Sequence, residues 1–262
     1  DGSEAAAAQF SAQVKGAIDS LAESGMKPAA LLFDTVFATE GMPRVPAHFI
    51  QDAVAQTRAA GGFYIADEVQ PGFGRTGESM WGYQRYGIVP DLVTLGKPMG
   101  NGHPISGVVS RASLTENFGE KTMYFNTFGG NPVSSAVGLA VLQVIEREGL
   151  QENARKVGQY LQAGLAELAE KQAELKIVQD DIIGDVKGYG LFLGVELVTD
   201  RKSKMPATEA TRTVVNGMRE RGVLISQTGR TDNVLKIRPP MPFSRENADL
   251  LLEVLDDCLA VQ

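Results

Sequence analysis

With 262 residues, 43% of them hydrophobic and 22% charged, the chain can build a sizeable core in one large domain or two smaller ones. A formal net charge of −7, with no clustered basic run, excludes a phosphate-backbone binder, so no nucleic-acid partner is expected. A single cysteine (Cys258) excludes an internal disulfide, no apolar stretch approaches the roughly 20 residues of a membrane span, and the opening Asp1-Gly2-Ser3-Glu4 is acidic where a secretory signal is basic. The expectation is a cytoplasmic protein that does not engage a membrane.

In chain order, Phe10, Val14, Ala17, Ile18 and Leu21 recur at helical spacing, and Gly25 and Pro28 end that helix. Ala29 to Phe33 reads as a buried strand closing at Asp34. A helix over Pro46 to Ala60 stops at Gly61-Gly62, and a second buried strand, Phe63 to Ala66, runs into Asp67-Glu68. Leu92 to Leu95 is a third strand, ending at Gly96-Lys97-Pro98, where the proline keeps Lys97 out of helical geometry. Ile105 to Ser110 is a fourth, and a long helix starts near Pro132 with Val133, Val137, Val141, Val144 and Ile145 along one face. Strands alternating with helices over residues 1–150 predict an α/β domain with a mostly parallel sheet.

Residues 151–262 read differently. A helix from Gln151 to Lys171 leads into Ile177-Val178, and Gly190 to Val198 alternates like a strand. A helix follows from Thr208 to Arg221, then short strands at Val223–Ile225 and Val234–Ile237. The last helix runs from about Arg245 to Val261 with Ser244 as N-cap. This composition predicts a small α+β domain.

Ligands of open α/β sheets sit beyond the carboxyl ends of the strands. Asp34, Asp67 and Lys97 all fall there, and they converge on one edge if their strands are neighbours. An apolar strand ending in Asp67-Glu68 also describes the magnesium-holding strand of a nucleotide-binding ATPase. That reading needs a phosphate-cradling G-x-x-x-x-G-K-[ST] loop, and the one Gly-Lys here, Gly96-Lys97, precedes Pro98 and ends a strand. Around Lys97, Gly96, Pro98, Gly100, Asn101, Gly102 and Pro104 impose a tight, irregular backbone that can approach a flat ligand. Thr127 to Pro132 opens the long helix, whose free N–H groups suit a phosphate, with Asn131 as N-cap and Pro132 at the first helical position. His48 and His103 have no metal-type spacing and read as structural residues.

Four segments, in order, resemble one family. Tyr64 to Gly77 (YIADEVQPGFGRTG), Pro90 to Pro104 around Lys97, Asn126 to Pro132 (NTFGGNP) and Asn233 to Met241 (NVLKIRPPM) are similar to the signatures of class III aminotransferases. The resemblance implies a pyridoxal 5'-phosphate enzyme of fold type I. Residues 1–150 would be part of its mostly parallel-sheet large domain and 151–262 its small α+β C-terminal domain. It implies that Lys97 carries the cofactor as a Schiff base and that Asp67 pairs with the pyridine nitrogen, keeping it protonated so that the ring accepts electrons. It further implies that Val69 packs on the ring, Gln70 lies near the ring hydroxyl, and Thr127 reaches the phosphate of a neighbouring subunit's cofactor. A homodimer with shared active sites is therefore expected.

Two positions depart from the family. Asp34 stands where many members have a glutamate that shapes the substrate pocket, and Lys236, two residues before Arg238, stands where many have an arginine. At Lys236 a point charge replaces a bidentate fork for the substrate anion. The family's chain begins well upstream, and its first half supplies a phosphate-binding loop and a ring-stacking aromatic, so this stretch alone is not expected to complete a site. The wording of Met99 to Pro104 and Lys236 to Met241 resembles a subgroup of alanine–glyoxylate aminotransferase 2-like proteins that includes phospho-lyases. Two reactions follow: transamination between an amine or amino acid and an oxoacid, placed first as the commoner chemistry of the fold, and phosphate elimination from a phosphorylated amine. A nucleotide-binding or non-catalytic α/β module is the reading of another class.

Overall fold

A computed structural model describes residues 4–175 and 182–260, the side chains of 173–175 and 182 excepted. The chain divides into two compact units. The first takes Asp1–Thr35, Arg44–Phe73 and Trp81–Ile145, and the second takes Val36–Pro43, Gly74–Met80 and Glu146–Gln262.

In the first unit, α1 (Glu4–Glu23) is followed by β1 (Ala30–Asp34), α2 (Ala47–Ala59) and β2 (Phe63–Asp67). A 3-10 turn (Gly82–Tyr86) precedes β3 (Leu92–Leu95), and a second one (Lys97–Gly100) precedes β4 (Gly107–Ser110), α3 (Ala112–Lys121) and α4 (Pro132–Arg147). Strand order is β1-β2-β3-β4, with β1–β2 and β2–β3 parallel and β3–β4 antiparallel. The mostly parallel sheet is as read, but β4 begins at Gly107, two residues after the expected start. It runs backwards because Asn101 to Ser106 return the chain by a short turn, too short for the crossover a parallel strand needs. Helix α2 buries Phe49, Ile50, Ala53, Val54 and Thr57 at helical spacing, while α1 meets it through stacked Phe10 and Phe49 rings 5.5 Å apart. Before β3, the buried Asp91 accepts the Tyr64 N–H (2.8 Å) and Arg58 Nε–H (3.2 Å) and pairs with Arg111, which fixes the start of that strand.

The second unit holds α5 (Leu150–Leu175), β5 (Ile182–Tyr189), β6 (Phe192–Asp200), β7 (Met205–Pro206), α6 (Thr208–Glu220), β8 (Ser226–Thr228), β9 (Val234–Ile237) and α7 (Arg245–Ala260). The antiparallel order is β5-β6-β9-β8, and β7 pairs with β6. Leu161 and Leu165 of α5, Val214 and Met218 of α6 and Leu251 and Leu255 of α7 close over Leu193, Val195 and Leu235 of the sheet. Gly158 lets α5 approach the β5–β6 turn, since a Cβ there would lie 2.3 Å from the Gly190 carbonyl. Ser244 caps α7 as expected: its Oγ accepts the Asn247 N–H, and Asn247 Oδ1 accepts the Ser244 N–H, both at 3.2 Å. The expected strand at Val223–Ile225 is not one. The ladder starts at Ser226, where pairing with Lys236 begins, so the apolar run only leads into it. Ile177-Val178 and Val261 lie outside the described residues.

Candidate active site

Register brings the sequence-predicted acids together. Asp34 pairs with Asp67 across β1 and β2, Asp67 pairs with Thr94 across β2 and β3, and Lys97 follows two residues after Leu95 ends β3. All three therefore lie at carboxyl ends of adjacent strands, on one edge of the sheet. Asp67 Oδ1 accepts the Val69 N–H (2.9 Å) and the Thr94 hydroxyl (3.3 Å), while among the described residues its Oδ2 accepts no hydrogen bond. Gln70 Nε2–H donates to Asp34 Oδ2 at 3.3 Å. Val69 lies over the backbone just before the lysine, for a Cβ on Gly96 would meet both Val69 methyls at 3.6 Å.

Lys97 itself sits at φ +34°, on the left-handed side and outside the right-handed helical region that its following proline disfavours, and opens the 3-10 turn in which Met99 N–H donates to Gly96 O (2.9 Å). A β-carbon at positive φ stores backbone strain, a feature that gathers at functional positions. Among the described residues the exposed Lys97 ammonium makes no hydrogen bond or ion pair.

Sequence reasoning treated Asp67-Glu68 as one feature and gave Glu68 no role of its own. The structure separates them. Successive side chains of a strand leave opposite faces, and Glu68, 0% exposed, turns into the protein. Its Oε1 accepts the Thr35 hydroxyl (3.0 Å) and the Tyr83 N–H (2.7 Å), and its Oε2 accepts the Gly82 N–H (2.7 Å). Burial raises its pKa to about 7 against the lowering effect of these three donors, and the charge of Asp34 adds to the rise. Nearby, the buried Tyr64 hydroxyl has no partner among the described residues; burial, then the charge of Glu68, hold its pKa above the ordinary range.

Thr127 lies in an exposed loop before α4. Asn131 caps that helix, its Oδ1 accepting the Ser134 N–H at 3.0 Å, and His103 Nε2 lies 2.7 Å from Ser134 Oγ. The Phe128 and Gly129 N–H groups, expected to be open to a phosphate, both donate to Asn126 Oδ1 (3.1 and 2.8 Å). Asparagine two residues ahead of such a loop closes an Asx turn on itself.

In the second unit Lys236 and Arg238, two residues apart on β9 and its extension, lie over the Phe192 ring, with Nζ 5.5 Å and Cζ 5.8 Å from its centroid. They line a cleft of about 560 Å³ with Leu224, Ile225 and Phe243. Arg75, which the signature contained but to which no role was given, donates to the Leu191 and Pro239 carbonyls (3.1 and 2.7 Å) and among the described residues has no carboxylate partner. Burial, then the positive charge of Arg238, lower its pKa to about 10.

Comparison with known proteins places the chain in a family. The family model for aminotransferase class-III matches residues 3–259. "Alanine--glyoxylate aminotransferase 2 homolog 2, mitochondrial" of Arabidopsis thaliana is 45% identical over 87% of this chain and 46% of its own length. "Ethanolamine-phosphate phospho-lyase homolog 1" of Caenorhabditis elegans is 36% identical over 98% of this chain and 54% of its own. Among solved structures, a phospholyase from Arthrobacter in complex with phosphoethanolamine superposes with a TM-score of 0.91 at 47% identity, covering 98% of this chain and 59% of that one. The chain belongs to the class III aminotransferase family, a family of pyridoxal-phosphate enzymes with the fold type I α/β architecture. It spans about half the length of the curated relatives it matches.

Proposed function

We propose that the full-length protein is a pyridoxal-phosphate-dependent phospho-lyase acting on a small phosphorylated amine of the phosphoethanolamine type. The observation that carries this reading is the cation cluster of Arg75, Lys236 and Arg238 about Phe192. A dianionic phosphate uses such a cluster more fully than a single carboxylate does. The Arthrobacter phospholyase, with its phosphoethanolamine, adds weight.

The residues present fit the cofactor. Among the described residues Asp67 keeps one oxygen open for a protonated ring nitrogen, Lys97 offers an unpaired amine, and Val69 supplies an apolar face above Gly96. Gln70, which donates to Asp34, would serve the ring hydroxyl, and Thr127 would serve the phosphate of a partner subunit's cofactor. When bound, the cofactor supplies an electron sink for the charge left as a proton departs beside the amine. Lys97 takes that proton and returns it. Asp67 holds a positive charge at the ring nitrogen by its own fixed negative one. Lys236 and Arg238, with Arg75, hold the substrate's phosphate, and Asp34 with Gln70 shapes the pocket at the strand ends. The C–O bond to phosphate then breaks with its electron pair. Phosphoethanolamine and water become acetaldehyde, ammonia and inorganic phosphate.

The second reading is transamination between an amine or amino acid and an oxoacid, which the Arabidopsis relative's name favours. Full-length protein loaded with pyridoxal phosphate and given phosphoethanolamine alone separates the two: inorganic phosphate should appear without any oxoacid. Turnover only after an oxoacid is added, with the phosphate ester intact, decides for transamination.

We further read residues 1–150 as part of the cofactor-binding large domain and 151–262 as the small domain of a homodimer. Met123, Tyr124, Phe125, Phe128 and Val133 are all exposed around one loop, a surface a second subunit would cover. No helix among the described residues is long and apolar enough to cross a membrane. The one buried cysteine suits a reducing compartment, the cytoplasm in the simplest case, although the Arabidopsis relative is named as mitochondrial.

A further inference from the structure

We propose that Glu68 is a positioning residue: its buried carboxylate holds Asp67 and Asp34 in the alignment that cofactor binding requires. This rests on the reading of Asp67 and Lys97 given above. Every polar atom of Glu68 is engaged. Its N–H donates to Thr94 O (3.0 Å) at the end of β3, its carbonyl accepts the Gly72 N–H (3.1 Å), and its carboxylate gathers Thr35, Gly82 and Tyr83.

The placement of those partners gives the residue its purpose. Thr35 follows Asp34 just as Glu68 follows Asp67, so the bond between them ties the two strand ends together one residue beyond the paired acids. On the far side, the Gly82 and Tyr83 N–H groups bring the 3-10 turn onto the same carboxylate, and Tyr86 of that turn donates its hydroxyl to Thr35 O at 2.8 Å. With five bonds fixing Glu68, the backbone on either side of it is fixed as well. The direction in which Asp67 leaves the strand, and the Val69 N–H that orients its carboxylate, are then set from the opposite face of the sheet. Nothing in a merely structural acid requires it to be adjacent to both acids of the site.

A buried carboxylate is an expensive way to join three elements, since desolvation opposes it. Among the described residues the donors to it are two backbone N–H groups and one hydroxyl, with no cation among them. The titratable groups around it are Asp34, Tyr64, Tyr83 and Tyr86, and their hydroxyls or like charge do not neutralise it. Burial accordingly raises its pKa to about 7, so that near neutral pH its charge beside Asp67 varies with pH.

The test uses full-length protein loaded with pyridoxal phosphate, in wild type, Glu68→Gln, Thr35→Val and Asp67→Asn. Three quantities are read: the pH midpoint of the bound cofactor's visible absorbance, the rate at which cofactor is lost on dilution, and the melting temperature. Glu68→Gln places an NH2 against backbone donors. It should move the absorbance midpoint by about half a unit and speed cofactor loss roughly tenfold, the scale on which orienting partners act. Thr35→Val, which removes one donor at constant shape, should shift both in the same direction by less. If Glu68→Gln does not fold, Thr35→Val decides. A lowered melting temperature with midpoint and loss rate unchanged overturns the proposal and leaves Glu68 a structural residue. Borohydride reduction of the wild type followed by peptide mapping separates the two levels. A pyridoxyl adduct on Lys97, with a midpoint that Asp67→Asn moves and Glu68→Gln and Thr35→Val do not, overturns this inference alone. Absence of the adduct overturns the proposed function and this inference with it.

Discussion

At the scale of single residues, the site separates groups that face the chemistry from groups that hold them. On the proposed phospho-lyase reading, Lys97→Ala in the full-length protein should lower turnover by about 10²–10⁴-fold or more through loss of the proton carrier, read by phosphate release from phosphoethanolamine. Glu68 gives a pH prediction of definite sign. Its pKa is about 7 in the folded chain against 4.5 ordinarily, so the folded state holds that proton more tightly than the unfolded one. Its contribution to stability is therefore full below pH 4.5 and is lost as pH rises through about 7. Relative to Glu68→Gln, which does not titrate, the wild type should lose roughly 3 kcal/mol across that window; denaturant melts of both proteins at several pH values check it. Asp34, Asp67 and Lys97 were legible because each stands where a strand pattern ends. Glu68 was not, because its role depends on which strands are neighbours and on Gly82 and Tyr83, residues with no side-chain signal for a carboxylate.

Among the elements, close approach sets the strongest expectations. A Cβ on Gly82 would lie 2.3 Å from Thr35 Oγ1, so Gly82→Ala should cost about 1–3 kcal/mol and disturb the Glu68 bonds, measured by denaturant midpoint and cofactor retention. By contrast, Ser244→Ala removes only the cap of α7 and should cost about 1 kcal/mol without touching cofactor affinity. The three parallel strands and β9 were legible from apolar runs bounded by glycine or acid. Helix α3 was missed because it buries no residue, so it carries no apolar stripe for periodicity to find. Strand β5 was missed because its alternation is interrupted by Gly184, where the pairing shifts between Ile183 and Asp185. Val223–Ile225 misled in the opposite direction: a β-branched apolar run describes burial or strand, and only the partner strand decides which.

For the whole molecule, the exposed aromatic loop before α4 yields a prediction about assembly. If the proposed homodimer forms through this loop, Phe125, 82% exposed, is covered in it, so Phe125→Asp in the full-length protein should give monomers in sedimentation velocity and weaken cofactor retention with them. Lys97 carries a consequence of another kind. Its positive φ makes the native backbone pull against the side chain it displays, and glycine would relieve about 1–3 kcal/mol of strain against roughly 0.5–1 kcal/mol of added chain entropy. Lys97→Gly should therefore melt above Lys97→Ala. On the proposed role of Lys97, a lineage that no longer needed the reaction would be drawn towards glycine at this codon by fold stability alone, and demand for turnover would be what holds a lysine there.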